Sequence, residues 1–179
     1  MIRNYDATPQ IFITGRIIKA EDFDLKEMFV KYKFVYGPNF ILIDGKDSGE
    51  TFQNVSYDME TYVAFDHPIN LNLKCRSIKG WPKLYIEAWG TDGDGKNIMQ
   101  GYNTVFIPFY NGQVKLTCNT WRPDNGYLKS KLLGVTPQFK HTQFVYSSEE
   151  KFEVDSVSSG SIIIELDIIL KDFELHGIE

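Results

Sequence analysis

The sequence is poor in the residue types from which metal sites, disulfide frameworks and catalytic dyads are built. Its 179 residues include only two cysteines and three histidines. No C-x-x-C pair or mixed histidine and cysteine cluster suggests a zinc site, and the G-x-S-x-G, P-loop and H-E-x-x-H motifs are absent. We therefore expect no catalytic residues, no cofactor and no enzymatic activity.

The cysteines, and the histidine before Pro68, are better explained by structural roles than by catalysis. Cys75 and Cys118 fall on the inward faces of predicted strands, where a free cysteine behaves as a small hydrophobe. His67 precedes Pro68 just before a predicted strand, which indicates a turn or capping residue. These positions favour structural roles over catalytic ones.

Long apolar runs and an excess of positive charge are also missing. The longest apolar stretch, SIIIELDIIL, is interrupted by Glu165 and Asp167, so no segment reaches the roughly 20 residues that span a bilayer. The first residues, MIRNYDATPQ, are polar and lack the apolar core of a secretory signal. The formal net charge of −5 argues against a general nucleic-acid binder. We expect a soluble protein of a reducing compartment.

What the sequence does contain is a repeated alternation of apolar and polar residues. The period of two runs through INLNLKCR, MFVKYKFVYG, LYIEAW, QVKLTC and the C-terminal IIIELDIIL. Turn sequences such as YGPN, DGKDSG and TDGDGKN separate these runs. This spacing predicts an all-β antiparallel sandwich of about eight strands, with at most one short helix in NGYLKSKLLG, residues 125–134. We expect one domain over residues 10–179, preceded by a loose N terminus over residues 1–9.

The aspartates of the TDGDGKN turn are weak candidates for metal binding. Asp92 and Asp94 lie among glycines, and Asp22 and Asp24 in AEDFD are further carboxylates that a neighbouring loop can supply. The spacing is not that of an EF-hand, because Lys96 stands where another ligand should fall and no distal acid follows. The alternative is a solvated turn. We expect no metal at this turn.

Two further groups of residues are candidates for binding. The basic sequence around CRSIKGWPK suggests contact with anionic lipid, with a solvated strand face and a tryptophan packed at a β corner as the alternative. The lipid-binding candidates are Lys74, Arg76, Lys79 and Trp81. The aromatic fraction of 15% exceeds what the inner faces of a small sandwich can bury, so some aromatic residues are expected at a partner surface. The partner-binding candidates are Tyr85, Trp89 and Trp121.

The stretch GWPKLYIEAWGTDGDGKNIMQGY resembles the central signature of the B9 domain, a module of proteins at the base of cilia. That signature has a Gly-Trp-Pro, a strand, a polar loop and a Gly-Tyr. Here Gly80, Trp81, Pro82, Gly101 and Tyr102 occupy those places. Just upstream, HPINLNLKC is similar to the family's Pro-Ile-Asp strand, with an asparagine in place of the aspartate.

The resemblance covers almost the whole chain, from about Ile11 to Glu179. GRIIKAEDF, TCNTWRP and DFELHGIE look most similar to one branch of the family, whereas KYKFVYG resembles a sister branch. The family membership implies a fold similar to a C2 domain, which agrees with the sandwich predicted from the period of two.

The resemblance also implies a function. B9 proteins associate with one another in a Meckel-syndrome, tectonic-like complex of the ciliary transition zone, on the cytoplasmic side of the cilium base and near the basal body. There they support ciliogenesis and the diffusion barrier between cilium and cell body. The expected role is therefore a non-enzymatic scaffold subunit, and the alternative is a peripheral phospholipid-binding module that works without calcium.

The C2 likeness bears on the TDGDGKN turn as well. In calcium-dependent C2 domains, the corresponding loop carries aspartates at three positions, which fall here on Gly90, Asp92 and Ile98 if Gly101 opens the next strand. Asp92 alone matches, and Asp94 lies off the pattern. The resemblance therefore argues against calcium-dependent membrane binding.

Overall fold

A computed structural model describes residues 8–57, 60–124 and 155–176. Within these ranges the regular structure is β-strand, apart from a 3-10 turn at Glu174–His176. The strands are β1 (Gln10–Glu21), β2 (Glu27–Val35), β3 (Phe40–Gly45), β4 (Ser48–Glu50), β5 (Asn54–Val55), β6 (Tyr62–Cys75), β7 (Lys83–Thr91), β8 (Asn97–Phe106), β9 (Gly112–Pro123) and β10 (Ser156–Lys171). The predicted all-β fold is confirmed. The helix predicted over residues 125–134 lies outside the described residues, as does His141.

The strands form one antiparallel sheet that curls into two packed layers. Their order is β3-β6-β1-β10-β9-β8-β7-β2-β4, with β5 paired to β2. The half that contains β1, β6, β10 and β9 packs over the half that contains β7, β2 and β8. The two halves join between β8 and β9, where Tyr102 pairs with Trp121. The described residues hold ten strands against about eight predicted, because β4 and β5 have three and two residues and are too short to show a period.

The core lies between the two layers and is built by the alternation seen in the sequence. The buried series on β6 and β10 is Ile69, Leu71, Leu73, Cys75, Ile162, Ile164, Leu166 and Ile168. From the opposite layer, Val30, Phe34 and Ile86 are buried against them. Complete burial of one such aliphatic side chain stabilises the fold by about 1.5–3 kcal/mol, so the alternating faces hold the layers together.

His67 lies at a β-bulge within a strand, and not in the turn or cap that was predicted from the sequence. The register of β1 against β6 shifts at this point, and Asp66 takes a positive φ of 48°. Because the strand continues through the bulge, His67 lies inside β6, and the prediction of a turn or cap was wrong. The ring packs edge-to-face on Tyr32, with 5.8 Å between centroids. Burial, together with the charge of Lys46, lowers the pKa of His67.

The loops leave the sandwich at two opposite ends. At one, named here the acidic end, lie loops 22–26 and 92–96 with residues 60–61; Glu27 pairs with Thr91 there. At the other, named the corner end, lie loops 36–39, 76–82 and 107–111 with residues 172–176; Lys83 pairs with Phe106 there. The TDGDGKN turn and the Gly-Trp-Pro sequence therefore sit at opposite ends of β7.

Candidate functional site

The Gly80-Trp81-Pro82 sequence forms the corner between β6 and β7. The indole Nε1 of Trp81 donates a hydrogen bond to the carbonyl oxygen of Ile107 at 2.8 Å. The half-buried indole ring contacts three aromatic rings edge-to-face, at centroid distances of 5.8, 4.6 and 6.0 Å; these belong to Phe40, Phe109 and Phe173. Of the two interpretations of Trp81, this packing supports the β corner over a lipid contact.

Gly80 makes the corner sterically possible. Its φ is +85°, and a Cβ at this position would lie 2.7 Å from the Cα of Gly37. The two backbones approach closely because the N–H of Gly37 donates a hydrogen bond to the carbonyl oxygen of Gly80 at 2.8 Å. Next to it, the carbonyl of Pro82 accepts a bond from the N–H of Ile107 at 3.2 Å. The signature thus fixes one end of the sandwich.

The second part of the signature, Gly101-Tyr102, lies where the two layers join. A Cβ on Gly101 would meet the Oγ of Ser159 at 2.4 Å and the Cβ of Thr120 at 2.8 Å. Tyr102 is buried, and its ring lies 6.1 Å from that of Trp121, its partner across β8 and β9. The two layers therefore join where Gly101 allows the strands to approach closely and the buried Tyr102 packs against the partner strand.

The TDGDGKN sequence is a hairpin turn between β7 and β8. The Oδ1 of Asp92 accepts hydrogen bonds from the backbone N–H groups of Asp94 and Lys96, at 3.0 and 2.9 Å. Gly95 takes a φ of +79° and donates its N–H to the carbonyl oxygen of Asp92 at 3.0 Å. The carboxylate of Asp92 is thus already used in the turn, whereas Asp94 is exposed.

No described carboxylates assemble around this turn. In the part of the chain that the structure describes, no group of three or more histidine, cysteine, aspartate or glutamate side chains is arranged to hold a metal ion. Asp24, one of the two carboxylates considered as helpers, lies 4.0 Å from a guanidinium nitrogen of Arg122. The arrangement supports the turn interpretation of Asp92 and Asp94.

The predicted basic residues do come together at the corner end. Lys74 is half-buried at the end of β6, and Arg76 and Lys79 are exposed in the following loop. Lys83, on the far side of the corner, places its Nζ 4.7 Å from the ring centroid of Phe106. A lipid-binding role for Lys74, Arg76 and Lys79 stays a prediction.

The expected exposure of Tyr85 was wrong. Its side chain is 5% exposed, because the outer face of β7 and β8 carries a second small core of Tyr85, Met99 and Tyr102. The rings of Tyr85 and Tyr102 stack with centroids 6.5 Å apart. The alternation in the sequence predicted that only one face of β7 is buried. Tyr85 lies on the opposite face, which is buried as well.

Trp89 and Trp121 are half-buried beside that second core. Trp89 stacks on Phe29, with centroids 6.1 Å apart and planes 9° from parallel. The carboxylate of Glu87 accepts hydrogen bonds from both the Nε1 of Trp89 and the hydroxyl of Tyr85, at 2.9 and 2.8 Å. A partner-binding role for Trp89 and Trp121 stays a prediction, but their packing gives both rings a structural role.

The two cysteines occupy the core as predicted. Cys75 and Cys118 are free thiols and buried. Burial raises the pKa of Cys118 to about 12 and also raises the pKa of Cys75. Both thiols are therefore protonated at neutral pH and poor nucleophiles.

A depression of about 270 Å³ lies at the acidic end. Its described lining includes Asp22, Asp24, Lys26 and Glu60, and no histidine or cysteine among the described residues contributes to it. The hydroxyl of Ser56 in this lining donates a hydrogen bond to the carbonyl oxygen of Glu60 at 2.6 Å.

Sequence analysis missed an exposed apolar edge. Strand β3 is one terminal strand of the sheet order and β4 is the other, and the chain from residue 41 to residue 57, named here the β3–β5 edge, runs from the first to the second. Its exposed large hydrophobic residues are Ile41, Leu42, Ile43, Phe52, Val55 and Tyr57. Phe52 is 89% exposed. A signal was present in the sequence, since FILI lacks the alternation seen in the other strands.

Comparison with known families identifies the class of protein. The family model described as "Ciliary basal body-associated, B9 protein" matches residues 11–169. The chain therefore belongs to the family of ciliary B9 proteins, and the predicted resemblance is confirmed.

Individual relatives indicate the branch. B9 domain-containing protein 2 of Danio rerio is 31% identical over 174 residues, which cover 95% of this chain and 98% of that protein. B9 domain-containing protein 1 of Mus musculus is 25% identical over 179 residues, covering 96% and 88%. The branch indicated by GRIIKAEDF, TCNTWRP and DFELHGIE is that of B9 domain-containing protein 2, and the similarity to it is confirmed.

Comparison with solved structures gives one further similarity. A C2 domain of plant extended synaptotagmin 1 aligns with a TM-score of 0.44 and 12% identity, covering 89% of this chain and 93% of that domain. Separately, none of the helical structure in the described ranges has the length and apolar character needed to cross a membrane.

Proposed function

We propose that the protein is a non-enzymatic scaffold subunit of the ciliary transition zone, which binds other B9-domain proteins in a Meckel-syndrome, tectonic-like complex. It acts on the cytoplasmic side of the cilium base, near the basal body, and supports ciliogenesis and the diffusion barrier. The observation that carries the proposal is the exposed apolar β3–β5 edge on a chain that belongs to the ciliary B9 family.

The edge has the properties of a protein interface. Contiguous exposed apolar side chains on a folded protein mark places where a partner binds. A terminal strand also leaves backbone N–H and C=O groups that an extended segment of a partner can pair with. Ile41 and Ile43 lie on β3 itself, and Phe52 and Tyr57 are exposed further along the chain.

The polar groups that sequence analysis examined support a structural role. Asp92 caps a turn, His67 packs on Tyr32 inside a strand, and Cys118 is a buried, protonated thiol. Each of these side chains is engaged in local packing or hydrogen bonding. Such structural roles are consistent with a rigid module that presents a surface to partners.

The proposal is tested by tagging the full chain in ciliated cells of its own organism. We expect the tagged protein to concentrate at the transition zone and to co-purify with other B9-domain proteins, whereas the tag alone recovers none. Recovery of no B9-domain partner, together with a diffuse distribution, would contradict the proposal.

A further inference from the structure

Among the residues that the structure describes, the two ends of the sandwich carry opposite charge. At the acidic end, carboxylates outnumber cations: Glu21, Asp22, Asp24, Glu27, Glu60, Asp92, Asp94, Asp124 and Asp155 lie there with Lys26, Lys96 and Arg122. At the corner end the balance is reversed: Lys74, Arg76, Lys79, Lys83 and Lys171 lie there with Asp172 and Glu174. Within the described ranges, the charge is therefore divided unevenly between the two ends.

The cations of the corner end are available for an external partner. Arg76 and Lys79 are exposed, and no ion pair joins either of them to a described carboxylate. The loop that carries them is held in place by the backbone, since the N–H of Arg76 donates to the carbonyl of Asn39 at 2.9 Å. Two positive charges thus project from a fixed loop.

Exposed apolar side chains accompany these cations, one on the same loop and others on two neighbouring segments of the corner end. Ile78 stands between Arg76 and Lys79 and is 49% exposed, and Tyr110 in loop 107–111 is 53% exposed. Leu175, on the segment 172–176, is 72% exposed. The underlying Trp81, Phe109 and Phe173 rings pack against one another and hold these segments together. The apolar tips are therefore supported from beneath and do not fold back into the core.

We propose that the corner end docks on an anionic lipid bilayer without calcium. Ile78, Tyr110 and Leu175 enter the interface between headgroups and acyl chains, while Arg76 and Lys79 contact anionic headgroups. This goes beyond the scaffold role, because it assigns a membrane partner to loops that lie outside the β3–β5 edge. It also differs from the prediction made from the sequence, because Trp81 serves as the support beneath the tips and not as a contact.

Two features favour a bilayer over a protein partner. The exposed apolar side chains stand on three separate segments, an arrangement that a deformable interface accommodates more readily than a rigid protein groove does. Basic residues next to an anionic leaflet each add about 1 kcal/mol of attraction, and the acidic end is turned away in this orientation. Charge and shape thus point to the same partner.

The test is flotation of the full-length protein with vesicles. We expect binding to vesicles of phosphatidylcholine with phosphatidylserine in the presence of a calcium chelator, and none to pure phosphatidylcholine. The double variant Arg76→Ala with Lys79→Ala is expected to lower the partition coefficient roughly 30-fold, from two charges. Ile78→Ser with Tyr110→Ser is expected to lower it roughly tenfold.

The matched controls lie away from the corner end. Lys96→Ala removes an exposed cation at the acidic end, and Phe52→Ser removes an exposed apolar side chain from the β3–β5 edge; both are expected to float like the unchanged protein. The proposal is overturned if the unchanged protein does not float with phosphatidylserine at low salt. It is equally overturned if the corner variants float normally but lose a protein partner, because the surface is then a protein interface.

Discussion

The indole Nε1 of Trp81 lies 2.8 Å from the carbonyl oxygen of Ile107 and donates a hydrogen bond to it. This bond joins the loop after β6 to the loop after β8, two segments 26 residues apart in the chain. The β corner and the three aromatic rings around it depend on this one side chain. The Gly-Trp-Pro sequence therefore has a structural explanation that is independent of any ligand.

Replacement of Trp81 by phenylalanine removes the hydrogen bond and leaves the carbonyl of Ile107 without its indole donor. We expect a loss of about 1 kcal/mol or more in the free energy of unfolding, measured by urea denaturation, because the part-buried acceptor loses its hydrogen-bond donor. Trp89→Phe is the control: its Nε1 donates to the carboxylate of Glu87, which keeps the hydroxyl of Tyr85 as a donor after the change, so a smaller loss is expected. Equal losses for the two variants would refute the special role of the corner bond.

Gly80→Ala is expected to destabilise the fold by about 2 kcal/mol or more, because the residue has a positive φ and its Cβ would meet the Cα of Gly37 at 2.7 Å. Gly93→Ala is the matched control, since a Cβ there would meet nothing within 4 Å. Thermal unfolding of both variants checks the prediction. A Gly80→Ala protein as stable as the Gly93→Ala protein would show that the corner relaxes.

The melting temperature is expected to be the same in calcium as in a chelator. The carboxylate of Asp92 already accepts hydrogen bonds within the turn, and the described residues provide no group of further metal ligands around it. Asp92→Ala is expected to cost about 1 kcal/mol through the lost turn bonds, and Asp94→Ala close to nothing. A calcium-dependent rise in melting temperature that disappears in Asp94→Ala would establish a metal site instead.

The thiol of Cys118 is expected to resist labelling in the folded protein at about pH 8, because burial raises its pKa to about 12. In the unfolded chain the pKa returns to about 9.0, so this thiol stabilises the fold fully below that pH. That contribution is lost as the pH rises towards 12. Labelling followed by peptide mass spectrometry, with and without urea, measures the effect. Rapid labelling of native Cys118 would contradict the burial.

The burial of some residues could be predicted from the sequence, whereas the burial of others could not. Alternation predicted the inward faces of β6 and β10, from Ile69 to Cys75 and from Ile162 to Ile168, since a strand buried on one face shows its period directly. Alternation did not predict the burial of Tyr85, because a residue on the outer face is buried only by other segments of the fold.

The residues of the candidate surfaces also differ in whether the sequence alone could identify them. The basic residues of the corner end are close in sequence, from Lys74 to Lys83, and could be identified before the structure was known. Their apolar companions Tyr110 and Leu175 come from distant segments and needed the fold. The β3–β5 edge needed the strand order, because exposure of Ile41 and Ile43 follows from the terminal position of β3.

The most direct test of the scaffold role is the affinity of the purified protein for another B9-domain protein of the same organism, compared between edge and control variants. Ile43→Lys and Phe52→Ser change exposed side chains of the β3–β5 edge, and Ile169→Ser changes an equally exposed side chain on β10. The account predicts that each edge variant binds at least about tenfold more weakly and that Ile169→Ser binds normally. Unchanged affinity in both edge variants would contradict the central claim.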